Sequence, residues 1–166
     1  WSSDVCSSDL TWTSVEEGVY RIVQRAAAGG GEPYVLYQAD RGIFPSDWSP
    51  DGQSLLLFDM DTSGDYRDYN VFVYSRDDGT VQPFVSDRYN TWSPSFSPDG
   101  RFVAYTSDES GEYEIWVEPF PKTGERWQVS TGGGNEEPVW SHRGDRLYFR
   151  GGDRNSTRLN SSHSSV

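Results

Sequence analysis

The sequence predicts an all-β fold made of small, repeated antiparallel sheets. Three observations carry that expectation: a recurring aromatic-Ser-Pro-Asp-Gly string, short strand-like runs bounded by turn residues, and an apolar content dominated by rings. Trp48-Ser49-Pro50-Asp51-Gly52 returns as Phe96-Ser97-Pro98-Asp99-Gly100, and a looser copy stands at Trp140-Ser141-His142-Arg143-Gly144. The anchors lie 48 and 44 residues apart, a period that marks a repeat architecture. In each string Pro presets φ for the second turn position, Asp can bond local backbone, and Gly accepts the positive φ that leaves the turn.

The elements follow in chain order. Strands are expected near residues 18–24 and 33–38, then a full unit of strands across 44–86 and a second across 92–131. A final half-unit covers 138–150. The runs 55–58, 102–106 and 147–149 are too short for helices and are framed by Gly, Asp, Ser and Pro. Val71-Phe72-Val73-Tyr74 recurs as Ile115-Trp116-Val117-Glu118 at a spacing of 44, and a third short strand follows at 81–86 and again at 127–131. Four short antiparallel strands per unit match one blade of a β-propeller. The fold class is therefore a partial β-propeller: an open arc of two complete four-stranded blades with a partial blade at each end. A ring of six such blades would need roughly 260 residues, against about 140 usable here. An open arc leaves strand edges and one blade face uncovered, so concentration-dependent association is expected.

Composition agrees with a packed β domain. The 166 residues carry 14 Lys+Arg against 26 Asp+Glu, a net charge of −12, the wrong field for nucleic acid. The 34% hydrophobic share omits 17 Gly, and 7 Trp, 10 Tyr and 8 Phe supply flat side chains for blade-on-blade packing. No apolar run is long enough to cross a bilayer. The termini have a different texture. Residues 1–10 and 154–166 are Ser-rich and resemble translated sequencing-adapter read-through, so they are set aside as non-native, leaving 11–153 as the propeller segment. Cys6 and His163 fall in those tails.

The Ser-Pro-Asp-Gly turns, each followed by an apolar strand, resemble the WD-like repeats of TolB-type β-propellers. The strings at 44–48, 104–111, 117–121 and 127–134 are similar to the propeller C-terminal to bacterial eukaryotic-like Ser/Thr protein kinases. The resemblance covers nearly all of 11–153. It implies a binding or sensing module outside the membrane, with a protein, peptide or small ligand on a propeller face and the remaining blades of a larger ring as neighbours. Similar repeats also form the gating propeller of prolyl-oligopeptidase-type peptidases, the alternative context.

No catalytic residue is assigned. Lys122, the sole Lys, sits in a Pro-Lys-Thr-Gly turn, and no His-Arg-Asp segment is present. His142 occupies the place of Pro50 and Pro98, which reads as a solvent-facing turn residue. Asp51 and Asp99 recur at one turn position and cannot converge as a catalytic pair, so they are turn stabilisers. Trp48, Phe96 and Trp140 are expected between neighbouring blades, and Pro50, Gly52, Pro98, Gly100 and Gly144 complete the repeat motif. Asp59, Asp61, Ser63 and Asp65 alternate oxygen ligands as a calcium loop does, but the twelfth position is Asn70 where such a loop has Glu. An acidic, solvated loop is the plainer reading there, and calcium is the alternative. No other cofactor is expected.

Overall fold

The computed structural model describes residues 9–27, 31–60, 69–133 and 135–151. Every regular element among them is a strand, in four antiparallel sheets. The first sheet holds β1 (Asp9–Glu16), β2 (Val19–Ala26) and β3 (Tyr34–Ala39); the second holds β4 (Gly42–Trp48), β5 (Ser54–Met60), β6 (Val71–Ser75) and β7 (Val81–Val85). The third holds β8 (Thr91–Phe96), β9 (Phe102–Ser107), β10 (Glu114–Pro119) and β11 (Trp127–Gln128), and the fourth is the pair β12 (Glu136–Trp140) and β13 (Leu147–Arg150). Strands pair in sequence order, as in propeller blades.

The repeat fixes which strands correspond. β4, β8 and β12 each lead into a Ser-x-x-Gly turn and are the first strands of their blades. β1 and β2 lie against β4 as β5 and β6 lie against β8, so the first sheet contains the second, third and fourth strands of a blade. β1 adds a strand ahead of the expected pair, and it takes in Asp9 and Leu10, two residues assigned above to the N-terminal tail. Its sequence, Asp-Leu-Thr-Trp-Thr-Ser-Val-Glu, pairs residue for residue with β2 across a tight turn in which Glu17 and Gly18 take positive φ. At the other blade's end, the strand expected across 127–131 contracts to β11.

Alternation on the strands builds the core between sheets. In β5, Leu55 and Leu57 join Ile22, Ile43 and Tyr74 against the first sheet, while Leu56 joins Val71, Phe84, Phe96, Val103 and Tyr105 against the third. Successive side chains point to opposite faces, so one strand of consecutive leucines serves two interfaces. β9 repeats the device. Val103 and Tyr105 face the second sheet, and Ala104 packs with Ile115, Val117, Leu147 and Phe149 toward the fourth. Each fully buried Leu contributes about 2 kcal/mol of transfer free energy.

Candidate functional site

The three turns share one hydrogen-bond pattern. In the first, the Gly52 N–H donates to the Ser49 carbonyl at 2.8 Å, Ser49 Oγ donates to Asp51 Oδ1 at 2.6 Å, and the Gln53 N–H donates to the same carboxylate at 3.0 Å. The second has Gly100 N–H on the Ser97 carbonyl at 2.8 Å, Ser97 Oγ on Asp99 Oδ1 at 2.6 Å and Arg101 N–H on Asp99 at 3.1 Å. These donors hold the Asp51 carboxyl below its ordinary range and bring Asp99 down to about 2, with the serine hydroxyl the leading cause in both. The third turn lacks the Pro-Asp pair, yet Gly144 N–H still meets the Ser141 carbonyl at 2.9 Å. Asp145, two residues later than Asp51 and Asp99 in their turns, takes over and accepts from Ser141 Oγ at 2.8 Å. Its carboxyl is lowered by that bond.

The turns also touch one another around the arc. A Cβ placed on Gly100 would stand 3.3 Å from Pro50 Cδ, and one on Gly144 would stand 3.5 Å from Pro98 Cδ. Both glycines have φ near 70°. The repeat therefore wants Gly for two reasons, its φ and the proline of the preceding turn.

The aromatic anchors sit between sheets. Trp48 Nε1 donates to Thr11 Oγ1 of β1 at 3.0 Å, its ring meets Tyr74 edge-on at 6.3 Å, and the Arg76 guanidinium lies 4.4 Å from its centroid. Phe96 is buried and packs edge-on against Phe120 at 5.0 Å. Trp140 Nε1 donates to the Ser95 carbonyl of β8 at 3.1 Å.

Beside these anchors lies a bridge that sequence reasoning missed. Asp47 Oδ2 accepts the Phe96 N–H at 2.9 Å and the Ser95 hydroxyl at 3.2 Å, and Ser46 Oγ donates to the Pro94 carbonyl at 2.6 Å. Burial pushes the Asp47 carboxyl up, against the lowering by these donors. The partners are 48 and 49 residues away, so the one available signal was the Pro-Ser-Asp string ahead of Trp48. Each first strand is bulged here, between Pro45 and Asp47, Trp92 and Ser95, and Glu136 and Val139. Ser93 and Glu137, at matching bulge positions, hold positive φ, a strained state that side chains rarely adopt.

The bulges shape the inner wall. A groove of about 460 Å³ runs along β4, β8 and β12, lined by Ser46, Asp47, Pro94, Val139, Trp140 and His142 among others. Val139 is 59% exposed. This wall offers hydroxyls, one carboxylate, the His142 imidazole and apolar surface.

Of the calcium candidates, Asp61, Ser63 and Asp65 lie outside the described residues. Asp59 is buried; its Oδ1 accepts the Asn70 N–H at 2.8 Å and its Oδ2 is 2.9 Å from Arg41 Nη2. Lys122 pairs with buried Glu118 at 2.9 Å and donates to the Phe84 carbonyl at 2.6 Å, clamping the third sheet to the second. Glu118 also accepts from Tyr105 Oη at 2.5 Å, and burial together with that bond pushes the phenol up. No helix among the described residues is long and apolar enough to cross a membrane.

Comparison with known proteins matches residues 1–165 to the family described as the TolB beta propeller domain. The Tol-Pal system protein TolB of Anaeromyxobacter dehalogenans is 36% identical over 124 residues, covering 74% of this chain and 27% of that protein. The chain thus spans about a quarter of the length of the curated relatives it matches. A structure from Agrobacterium tumefaciens described as a TolB superposes with a TM-score of 0.75 at 21% identity, covering 90% of this chain and 53% of its own. The acylaminoacyl peptidase of Pyrococcus horikoshii reaches a TM-score of 0.55 at 15% identity, covering 85% of this chain and 21% of the peptidase. At those identities the two structures speak to fold alone.

Proposed function

The chain belongs to the TolB β-propeller family, and on that premise we propose that it is a non-catalytic protein-interaction module, part of a larger propeller, working outside the cytoplasm. One observation carries the reading. The repeated carboxylates and hydroxyls are spent on turns and blade-to-blade bridges, while the inner wall along β4, β8 and β12 presents an open groove. Such a surface suits an extended segment of a protein partner, with exposed Val139 as an apolar contact and the Ser46 and Asp47 bulge as a polar one. That the curated relatives are Tol-Pal system proteins supports a partner drawn from a protein assembly over the kinase context that the strings at 44–48, 104–111 and 117–134 imply. The likeness to a peptidase is one of fold and brings no activity with it.

A photo-crosslinking residue at position 139 tests the proposal in the native host. Adduct with a defined protein from position 139, and none from position 78 on an outer turn, is the expected outcome. Equal labelling from both positions, or none from 139, would count against it.

A further inference from the structure

At the end of the arc opposite the Ser-x-x-Gly turns, the junction between the second and third sheets and the one between the third and fourth are built alike. The Thr91 N–H donates to the Tyr69 carbonyl at 2.8 Å, and one repeat later the Asn135 N–H donates to the Tyr113 carbonyl at 2.9 Å. Each bond sets the next residue of a first strand beside a tyrosine. At the earlier junction that residue is Trp92, stacked on Tyr69 with ring centroids 6.3 Å apart. At the later one it is Glu136. The indole beside one tyrosine is thus replaced by a carboxylate beside the other.

Tyr113 is half-buried and meets Trp92 at 6.3 Å and 61°. Asp108 is fixed by Asn90, its two oxygens accepting the Asn90 N–H at 2.8 Å and the side-chain amide at 2.7 Å. Buried Glu114 anchors the approach to Glu136, accepting the Gly133 N–H at 2.6 Å and the Asn135 amide at 2.7 Å. Burial, then Asp108, Tyr69 and Glu136, push the Tyr113 phenol up, so its surroundings are negative.

Elsewhere in the chain a ring beside a carboxylate holds a cation. Arg101 lies 5.6 Å from the Phe102 centroid and 2.7 Å from Asp99, and Lys122 lies 5.0 Å from Phe84 and 2.9 Å from Glu118. Arg126 lies 5.6 Å from Trp116 and pairs with Glu109. Among the described residues no cation lies over the Tyr113 ring. Arg150 meets Glu136 at 2.5 Å and Glu137 at 3.2 Å from the facing strand.

We propose that Tyr113 and Glu136 form a seat for an arginine side chain in a basic segment of a protein partner, with Asp108 adding to the attracting field. The guanidinium plane stacks on the phenol ring and donates to the Glu136 carboxylate. The chain's own ring contacts favour arginine, with Arg76, Arg88, Arg101 and Arg126 over rings against Lys122 among the described residues. A net charge of −12 draws a basic segment toward it. The seat does not rest on the partner proposed for the inner wall.

Aromatic carbon–proton NMR of the full chain, titrated with a Gly-Arg-Gly-Arg-Gly peptide at low salt, tests it. Saturable shifts of the Tyr113 and Trp92 ring signals are expected, and none with a peptide carrying citrulline in place of arginine, a change that cannot perturb folding of the chain. Tyr113→Leu and Glu136→Gln should each weaken binding about threefold, the scale of one exposed cation–π contact or ion pair. Tyr113→Phe keeps the ring and should bind as the parent chain does. Glu32→Gln removes the same charge from an exposed residue between β2 and β3 and should leave binding unchanged. Absence of saturation, undiminished binding of the citrulline peptide, full affinity in Tyr113→Leu, equal loss from Glu32→Gln and Glu136→Gln, or binding that appears only in Arg150→Gln would overturn the proposal.

Discussion

The interface between the first and second sheets and the one between the second and third both have an apolar core and differ in chemistry at one repeat position. Arg76 and Phe120 are equivalent, since each follows the third strand of its blade and donates its backbone N–H to the preceding turn, at Gln53 and Arg101 respectively. Arg76 stacks on Trp48 of its own sheet at 4.4 Å, donates to the Gly52 carbonyl at 2.9 Å and reaches back to Gln24 of the first sheet at 3.3 Å. Phe120 packs on Phe96 of its own sheet at 5.0 Å and reaches back to Phe84 of the second sheet at 6.1 Å. The polar solution lies over a groove and the aromatic one over a closed core. A repeat position therefore fixes where a side chain goes and leaves open what it is made of.

The sharpest break between the two interfaces comes from Phe96→Ala. Truncating this buried ring should cost about 3–5 kcal/mol, read from urea unfolding, and the loss should be concentrated in exchange protection of the second and third sheets. Arg76→Ala should cost less, about 1–2 kcal/mol, because it removes one cation–π contact and two hydrogen bonds at a half-open interface. Its effect should appear in the first sheet and spare the third. If Arg76→Ala proves as damaging as Phe96→Ala, the distinction between a closed and an open interface is wrong.

The turns should separate by pH. Asp99 is held near 2 by the Ser97 hydroxyl, so its carboxylate contributes stability that is complete above the unfolded value of about 4 and is lost as pH falls toward 2. Asp47 is shifted the other way by burial. Its protonation on acidification favours the folded state, and its contribution declines as pH rises through the range above the ordinary carboxylate value. Asp99→Asn should therefore flatten the acid loss of stability, and Asp47→Asn should leave a steeper one; a melting series from pH 2 to pH 7 checks both. The smallest effect is expected from His142→Pro, which restores the proline of the other two turns at an exposed site. A gain of about 0.5 kcal/mol would follow from reduced freedom of the unfolded chain, and a loss would show that the third turn differs in backbone and not merely in sequence.

Most of the arc was legible because it is written locally. Pro50, Gly52, Pro98 and Gly100 encode turns within five residues, and the aromatic runs between them encode strands. What escaped has a physical cause in each case. β1 lacks a turn string ahead of it, and its Leu10, Trp12 and Val15 are exposed, so alternation there does not mark a buried face. Asp145 was invisible as a stand-in for the missing turn aspartate because the substitution moves the carboxylate along the chain while the serine hydroxyl stays in place. The Asp47 bridge and the proline-on-glycine contacts join residues about one repeat apart, a distance over which single-sequence patterns carry no information on contact. The inner groove was missed for the same reason: three bulges from three sheets build it.

Successive turns dock on one another, proline of one blade against glycine of the next. Nuclear Overhauser contacts between the Pro50 ring and the Gly100 Hα, and between the Pro98 ring and the Gly144 Hα, measure it most directly. Both should be present alongside the contacts within each turn. Intact turns without either cross-blade contact would show that the sheets do not assemble as an arc.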